Sequence, residues 1–346
     1  MDVLRYRPQA GAMDDPTFGV LHDFRQPLPH HAAMSRYYAE SLDEVAAADQ
    51  LGFDAVWMSE HHLTADGLLP SPLVMAAAIA ARTTQLRIGT NILVLPLHHP
   101  LRVAEDAAVA DLVSAGRLVL GVGQGYAEEE FAAFGADRRH RGTLLEEGIT
   151  LLRRAWSAEP INLHGEHWSY SQLSVTPKPE RPIPIYVGGV TAAGLRRAAR
   201  LGDAVIIYCA KPDELRARRA LLDQVAPGTP LTCTSILHVA DDPEQAWAEV
   251  APGIAYLEGQ IATYGGRGDL PEPQRGDYLV GTPEQVTEQL VALHRDVQFD
   301  HFAHWTRLPG LSHHRALESL QLLATEVVPA VTEQLSPGGG LDLGLG

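Results

Sequence analysis

Short apolar runs recur along nearly the whole chain, each followed by a stretch of helical periodicity. This alternation limits the fold more than any other feature, because parallel strands need a crossover and a helix supplies it. Eight runs are predicted as strands: 18–22, 53–58, 86–94, 117–122, 183–187, 204–208, 231–239 and 299–305. A helix is expected over 35–51, where Leu42, Val45, Ala46 and Asp49 make a largely apolar stripe that Gly52 stops. Ser71-Pro72 and Thr282-Pro283 each place a cap ahead of proline and so open further helices. Others are expected over 101–115, 143–156, 192–201, 211–225, from 243, and over 312–328.

Eight repeats without a domain break favour an α/β fold of the closed (β/α)8 TIM-barrel kind over an open doubly wound sheet. Polar, Pro- and Gly-rich stretches at 159–182 and 252–279 are read as insertions after strands 4 and 7. The barrel is expected to fill 17–330 as a single domain, with 1–16 a mobile leader and 331–346 a mobile tail.

Composition removes several function classes. No run approaches the roughly 20 apolar residues of a membrane span, and the first residues lack the apolar core of a secretory signal. The formal net charge of −16 is spread along the chain, with no basic stripe to neutralise phosphates, which argues against a nucleic-acid partner. Cys209 and Cys233 lie in apolar runs and are expected as buried thiols, in keeping with a cytoplasmic protein.

In such a barrel the chemistry sits on loops at the carboxyl ends of the strands. Candidates there are His22 and Asp23; Glu60, His61 and His62; Asn91, His98 and His99; Gly121 to Tyr126; Gly188 to Thr191; and His301, His304, Trp305 and Arg307. Histidine is the usual acid/base near neutral pH, yet a rim histidine is as often a loop cap, so the ring of imidazoles alone assigns no roles. Neighbours in extended chain point opposite ways, so His61 and His62 do not suit one ion. Neither HxH nor HExxH occurs, and no metal is expected. Gly188-Gly189-Val190-Thr191 ends a strand and opens a helix, either a phosphate seat or an ordinary tight turn. Gly121-x-Gly123-x-Gly125 fails as a dinucleotide fingerprint, since Tyr126 stands at its sixth position and no helix follows at once.

The segments SEHHLTADGLLPSP, LRIGTNILVLPLHHPLRVAEDAAVADLVSAGRLVLGVGQGYAEEEFAAFG, PIYVGGVT and YLVGTPEQV resemble the bacterial luciferase-like monooxygenase family, from about Phe18 to Pro329. The resemblance implies reduced FMN at the barrel mouth, reacting with oxygen to give a C4a-hydroperoxide. It makes His61 the acid/base, with Glu60 and His62 orienting it, and places the acid of the post-strand-4 loop at Glu130. A non-proline cis peptide maps onto Asn91–Ile92, the buried acid of helix 3 onto Glu105, and the flavin phosphate onto Gly188, Gly189, Val190 and Thr191. Gly123 and Gln124 stand where the light-emitting enzymes carry a reactive cysteine and a phosphate-gripping basic residue, so Arg138, Arg139 or Arg141 is expected to supply the grip. Substrate is expected to be an apolar or ketonic small molecule.

The implied partners are a separate NAD(P)H:flavin reductase and a second copy of the chain, packed through helices 2 and 3. Two other readings keep the fold: an F420-dependent hydride-transfer enzyme, and a non-catalytic flavin-binding relative.

Overall fold

In the computed structural model, which describes residues 16–27, 34–264 and 272–336, eight parallel strands close on themselves. They are β1 (Thr17–His22), β2 (Ala55–Met58), β3 (Arg87–Thr90), β4 (Leu118–Gly123), β5 (Ile185–Gly188), β6 (Ala204–Tyr208), β7 (Leu231–Ser235) and β8 (His301–Trp305). Each pairs with its sequence neighbours, and β8 returns to β1 in the register Thr17↔His301 to Leu21↔Trp305. Around them run α1 (Met34–Leu51), α2 (Pro72–Ala80), α3 (Pro100–Val113), α4 (Arg141–Trp156), α5 (Ala192–Leu201), α6 (Pro212–Val225), α7 (Pro283–Val297) and α8 (His313–Leu322). The chain continues from α8 through a π turn into a helix ending at Leu335, so part of the segment expected as a tail is helical. Residues 1–15 of the expected leader and 337–346 of the tail lie outside the described residues.

The strands read as continuous apolar runs because both of their faces are buried. Val20, Val56, Ile88, Leu120, Val122, Val187 and Val205 point outward into the layer beneath the helices. Leu21, Ala55, Trp57, Val119, Ile206, Ala303 and Trp305 point into the barrel. The interior must also house large rings, and glycines on adjacent strands make the room. A Cβ on Gly19 would stand 2.7 Å from His301 Nε2, and one on Gly89 would enter the Trp57 ring.

Four departures from the sequence reading matter. The run 86–94 is two pieces, Arg87–Thr90 and Leu93–Val94, divided at the cis peptide Asn91–Ile92. The run 231–239 divides at Ile236, and Leu237–Val239 pairs instead with Leu279–Gly281. The stretch 159–182 contains an antiparallel hairpin, Ile161–His164 with Ser169–Leu173. In the stretch from Pro252 the helical part is longer than expected: one helix, Pro243–Tyr264, runs straight through Pro252. Packing outweighs the lost hydrogen bond there, because Gly253 lies so close to Pro309 that a Cβ would stand 2.6 Å from its carbonyl oxygen.

His301 and His304 do not reach the mouth, contrary to expectation. The strand begins at His301, which places that ring at the amino end of the barrel. There it takes the Trp57 indole N–H on Nε2 (2.9 Å) and meets Thr17 Oγ1 at Nδ1 (2.8 Å). Burial holds its pKa down to about 3, so it stays neutral. His304 faces outward, with Nδ1 against the Gly19 carbonyl (3.1 Å).

Candidate active site

The loop after β2 carries Glu60, His61 and His62, and the chain after β4 turns back to meet it. That turn depends on Gly125, whose φ of +68° suits glycine and where a Cβ would stand 2.5 Å from Val94 Cγ1. A short helix, Glu128–Ala133, follows with three acids in its first turn, where the free N–H groups favour negative charge. Phe131 anchors it against Val94 and Leu97. Glu130, 3% exposed, is thereby aimed at the β2 loop.

Two carboxylate–imidazole systems result. Glu130 Oε1 accepts the His62 backbone N–H (2.8 Å) and lies 2.8 Å from His61 Nδ1. A carboxylate oxygen only accepts, so His61 Nδ1 is the donor, which leaves Nε2 as the acceptor nitrogen. That nitrogen meets the Tyr126 hydroxyl at 3.2 Å. The other oxygen, Glu130 Oε2, is buried with no hydrogen-bond partner among the described residues.

The second system centres on Glu60, 2% exposed. Its Oε1 accepts from His62 Nε2 (3.0 Å) and His98 Nε2 (2.6 Å), and its Oε2 from the Val94 N–H. Burial alone would push the Glu60 carboxyl up; the hydrogen bonds from His62, His98 and Val94 and the adjacent His98 charge outweigh it and bring it to about 2. His62 is raised by its bond to Glu60, with burial working against it. The donor atoms of Glu60, His62 and His98 lie within 4.8 Å of one another, a set able to hold a metal ion that neighbour-by-neighbour reading of the sequence missed. His140, Glu166 and His167 form a second, more exposed set.

Glu130 is thus the carboxylate that bonds the His61 ring. Glu60 instead ties His62 and His98 to the chain just past the cis peptide. Glu105 is also corrected: its side chain is 46% exposed and pairs with Arg102 on the outer surface of α3. The buried acid of α3 is Asp111, whose carboxyl burial raises to about 6.

The Asn91–Ile92 ledge is fixed from several sides. Asn91 N donates to Met58 O (2.6 Å), and its side-chain amide crosses the barrel to Thr234 Oγ1 (2.7 Å). Gly123 gives the Ile92 side chain room, since a Cβ there would stand 2.8 Å from Ile92 Cδ1. Beyond the ledge, Gly188 and Gly189 lead into α5, which Thr191 caps by accepting the Gly194 N–H (3.1 Å). Gly189 has no space for a side chain against Gly194, and Val190 is 47% exposed.

Of the expected arginines, Arg139 turns away to Asp137 and Arg138 reaches Glu128. Arg141 is half-buried with Nη1 on the Gly125 carbonyl (3.1 Å). Its pKa is lowered by burial and then by the charges of Arg138 and Arg197. Arg197, which the sequence did not single out, lies 3.3 Å from Gln124 Oε1. It sits on α5 nearly two turns past the Thr191 cap, with its Nε on Glu146 Oε1 (2.8 Å).

The opposite side of the mouth is aromatic and ionic. Asp23 Oδ2 accepts from Arg25 Nε (2.7 Å) and from the Trp305 indole (3.1 Å). Arg25 Nη1 lies 3.4 Å from Asp66, which also takes the Tyr256 hydroxyl (3.0 Å). Tyr256 belongs to the helix Pro243–Tyr264, which thus spans the mouth as a roof, held at its far side by Glu258 with Tyr278 (2.6 Å) and Lys211 (3.7 Å). His22, by contrast, points outward to the buried Glu44 (3.4 Å) and takes no part in the mouth.

A mouth with acid–base pairs on one wall and a guanidinium-flanked helix start on the next places this chain among the (β/α)8-barrel enzymes. Residues 16–298 match the sequence profile of the luciferase-like monooxygenases, and the chain belongs to that family. It is 31% identical over 194 residues to an F420-dependent glucose-6-phosphate dehydrogenase of Amycolatopsis mediterranei, covering 54% of this chain and 58% of that one. To an alkanal monooxygenase alpha chain of the Kryptophanaron alfredi symbiont it is 30% identical over 183 residues, covering 52% and 51%. The chain therefore spans only about half to three fifths of these relatives' lengths. Its backbone superposes with a TM-score of 0.74 on the oxygenating constituent of 3,6-diketocamphane monooxygenase of Pseudomonas putida in complex with FMN. There the identity is 21%, over 91% of this chain and 99% of that one, a likeness of fold. Among the described residues no helix is long and apolar enough to cross a membrane.

Proposed function

We propose that this chain is a flavin-dependent monooxygenase that takes reduced FMN from a separate NAD(P)H:flavin reductase and oxidises a small, mostly apolar organic substrate. The His61–Glu130 pair carries the reading: an imidazole held with its basic nitrogen outward, beside a glycine-flanked ledge and an arginine-flanked helix start. These residues fit a flavin. The ledge at Asn91–Ile92 would lie beneath a flat ring, while Gly189, Val190 and Thr191 would meet its phosphate at the start of α5, with Arg141 and Arg197 neutralising the charge. When bound, reduced flavin supplies the electrons that activate dioxygen.

The chain's own residues do the rest. Glu130 keeps the His61 Nδ1 proton in place and stabilises the imidazolium whenever Nε2 takes up a proton. Tyr126 gives that proton a path. Glu60 holds His62 and His98 in one geometry, and the roof helix limits water. We further propose that the protein acts in the cytoplasm as a homodimer through α2 and α3, whose outer faces expose Val74, Val109, Leu112 and Val113.

The A. mediterranei relative supports a second reading, hydride transfer from reduced F420, with His61 protonating the substrate. Anaerobic titration with reduced FMN and with reduced F420, followed by air, separates the two. Tight binding of reduced FMN with rapid oxygen uptake is the expected result. Binding of F420 alone, with no uptake, would overturn the oxygenase in favour of the hydride enzyme.

A further inference from the structure

His140, Glu166 and His167 meet where the turn of the outer hairpin reaches the start of α4, and none of the three belongs to the site around His61. The local chain holds them there. Glu147 of α4 accepts the backbone N–H groups of His167 (3.0 Å) and Trp168 (2.8 Å), which fixes the hairpin turn. Gly165 passes so close to that carboxylate that a Cβ would overlap it. His140 ends the short helical turn Arg138–His140, which Asp137 caps through the Arg139 N–H (2.9 Å). Its ring stands edge-on to that of His167, with centroids 5.6 Å apart.

Glu166 Oε1 lies 3.5 Å from His140 Nδ1 and 3.9 Å from His167 Nε2. Both separations exceed those of a good hydrogen bond. They are close to the roughly 3.3–3.5 Å between ligand atoms around a tetrahedral ion whose bonds measure about 2.0–2.2 Å. The set at Glu60 differs, since its 2.6 Å and 3.0 Å separations are hydrogen bonds that leave an ion no room.

We propose that His140, Glu166 and His167 bind one zinc ion, which staples the hairpin turn to the start of α4. Two imidazole nitrogens and a carboxylate oxygen suit zinc, whereas magnesium and calcium take oxygen ligands. The exposed side chains of His140 and Glu166 leave the remaining coordination position to water. Asp137, which also holds Arg139, stands 3.9 Å from His140 Nε2 and favours the proton on that nitrogen, so Nδ1 carries the lone pair. The Thr143 hydroxyl donates to the His140 carbonyl (3.0 Å) and so accepts from His167 Nε2 (2.7 Å). Zinc takes the place of that imidazole proton, which leaves to water. Arg141, next in the chain after His140, bonds the Gly125 carbonyl, so the staple lies one residue from a contact with the turn that precedes Glu130. Zinc binding here requires neither flavin nor turnover.

The test is calorimetric titration of the full-length, chelator-stripped protein with zinc chloride at neutral pH, without flavin. The wild type should take up zinc at a site that the triple variant His140→Gln, Glu166→Gln, His167→Gln lacks. Each single substitution should weaken that site by about tenfold or more, since losing even an outer neighbour of a ligand costs about 10–100-fold. Excess magnesium chloride should leave it unchanged. Zinc should also slow amide exchange across residues 161–173 and raise the denaturant midpoint of the wild type, and do neither in the triple variant. Glu166→Gln changes an exposed side chain and should keep the wild-type midpoint when metal-free, so it reads the site even if the triple variant does not fold. No zinc uptake, or equal uptake by wild type and variants, would overturn the proposal, the latter pointing to another set such as Glu60, His62 and His98. Displacement by magnesium, the mark of diffuse attraction to acidic surface, or hairpin exchange that zinc leaves unmoved would overturn it as well.

Discussion

Two carboxylate–imidazole systems sit a few residues apart in this barrel, built from the same chemical parts and put to opposite uses. Glu60 is saturated: its two oxygens take two imidazoles and a backbone amide, and the group is almost wholly buried. Glu130 is half-committed, with one oxygen serving His61 and the His62 amide and the other facing no donor among the described residues. A saturated carboxylate fixes geometry and stays ionised. A half-committed one keeps an acceptor oxygen in reserve beside its partner. The difference teaches that adjacency in sequence (Glu60, His61, His62) does not predict pairing, because successive side chains leave the loop in different directions.

The sharpest way to break this contrast is Glu60→Leu. It strands His62, His98 and the Val94 amide in a buried space and should cost on the order of 3–5 kcal/mol in chemical denaturation. A loss below about 1 kcal/mol would mean that Glu60 is not the keystone described.

His61→Ala should do the reverse. Turnover should fall by about 100-fold or more, the scale of a lost acid/base, with reduced-flavin affinity and stability little changed. Equal turnover would remove His61 from the chemistry.

Acid sharpens the same comparison. Glu60 has its folded pKa lowered to about 2 from the ordinary 4.5. Its contribution is therefore present above about pH 4.5 and lost as the pH falls through 2. His62 is shifted upward from 6.5, so its contribution is present below 6.5 and fades as the pH rises through the folded value. Wild-type stability should drop by on the order of 2–3 kcal/mol more than that of Glu60→Gln between pH 5 and pH 2. Parallel curves would contradict the lowered pKa.

The smallest effect is expected at Glu105→Gln. An exposed pair with Arg102 contributes under about 0.5 kcal/mol, and neither stability nor turnover should move measurably.

The barrel was legible because its strands are buried on both faces and so leave unbroken apolar runs, and because βα repetition has few closed solutions. His61, Glu130, Asn91 and the Gly188–Thr191 turn were singled out through family resemblance, and of these the structure brings His61 and Glu130 together. The pairing of Glu60 with His98 was not, since 38 residues separate them and only the return of the chain after β3 joins them. Arg197 was hidden inside an ordinary amphipathic helix. Glu105 was placed by resemblance alone, and its side chain proves half-exposed where Asp111 on the same helix is buried. Pro252 was misread as a break because its local penalty is real, and only the packing of Gly253 against Pro309 overrides it.

The roof helix has one more consequence. Ala246, Val250, Ile254 and Leu257 share a single hydrophobic core with Leu21, Trp57 and Trp305 inside the barrel. Whatever the roof selects is thus chosen by side chains that also hold the protein together. A lineage exploring new substrates through this helix would pass through destabilised intermediates, whereas changes in the outer hairpin at 161–173 would leave that core untouched. Diversification in this protein should therefore begin at its edges and reach the roof last.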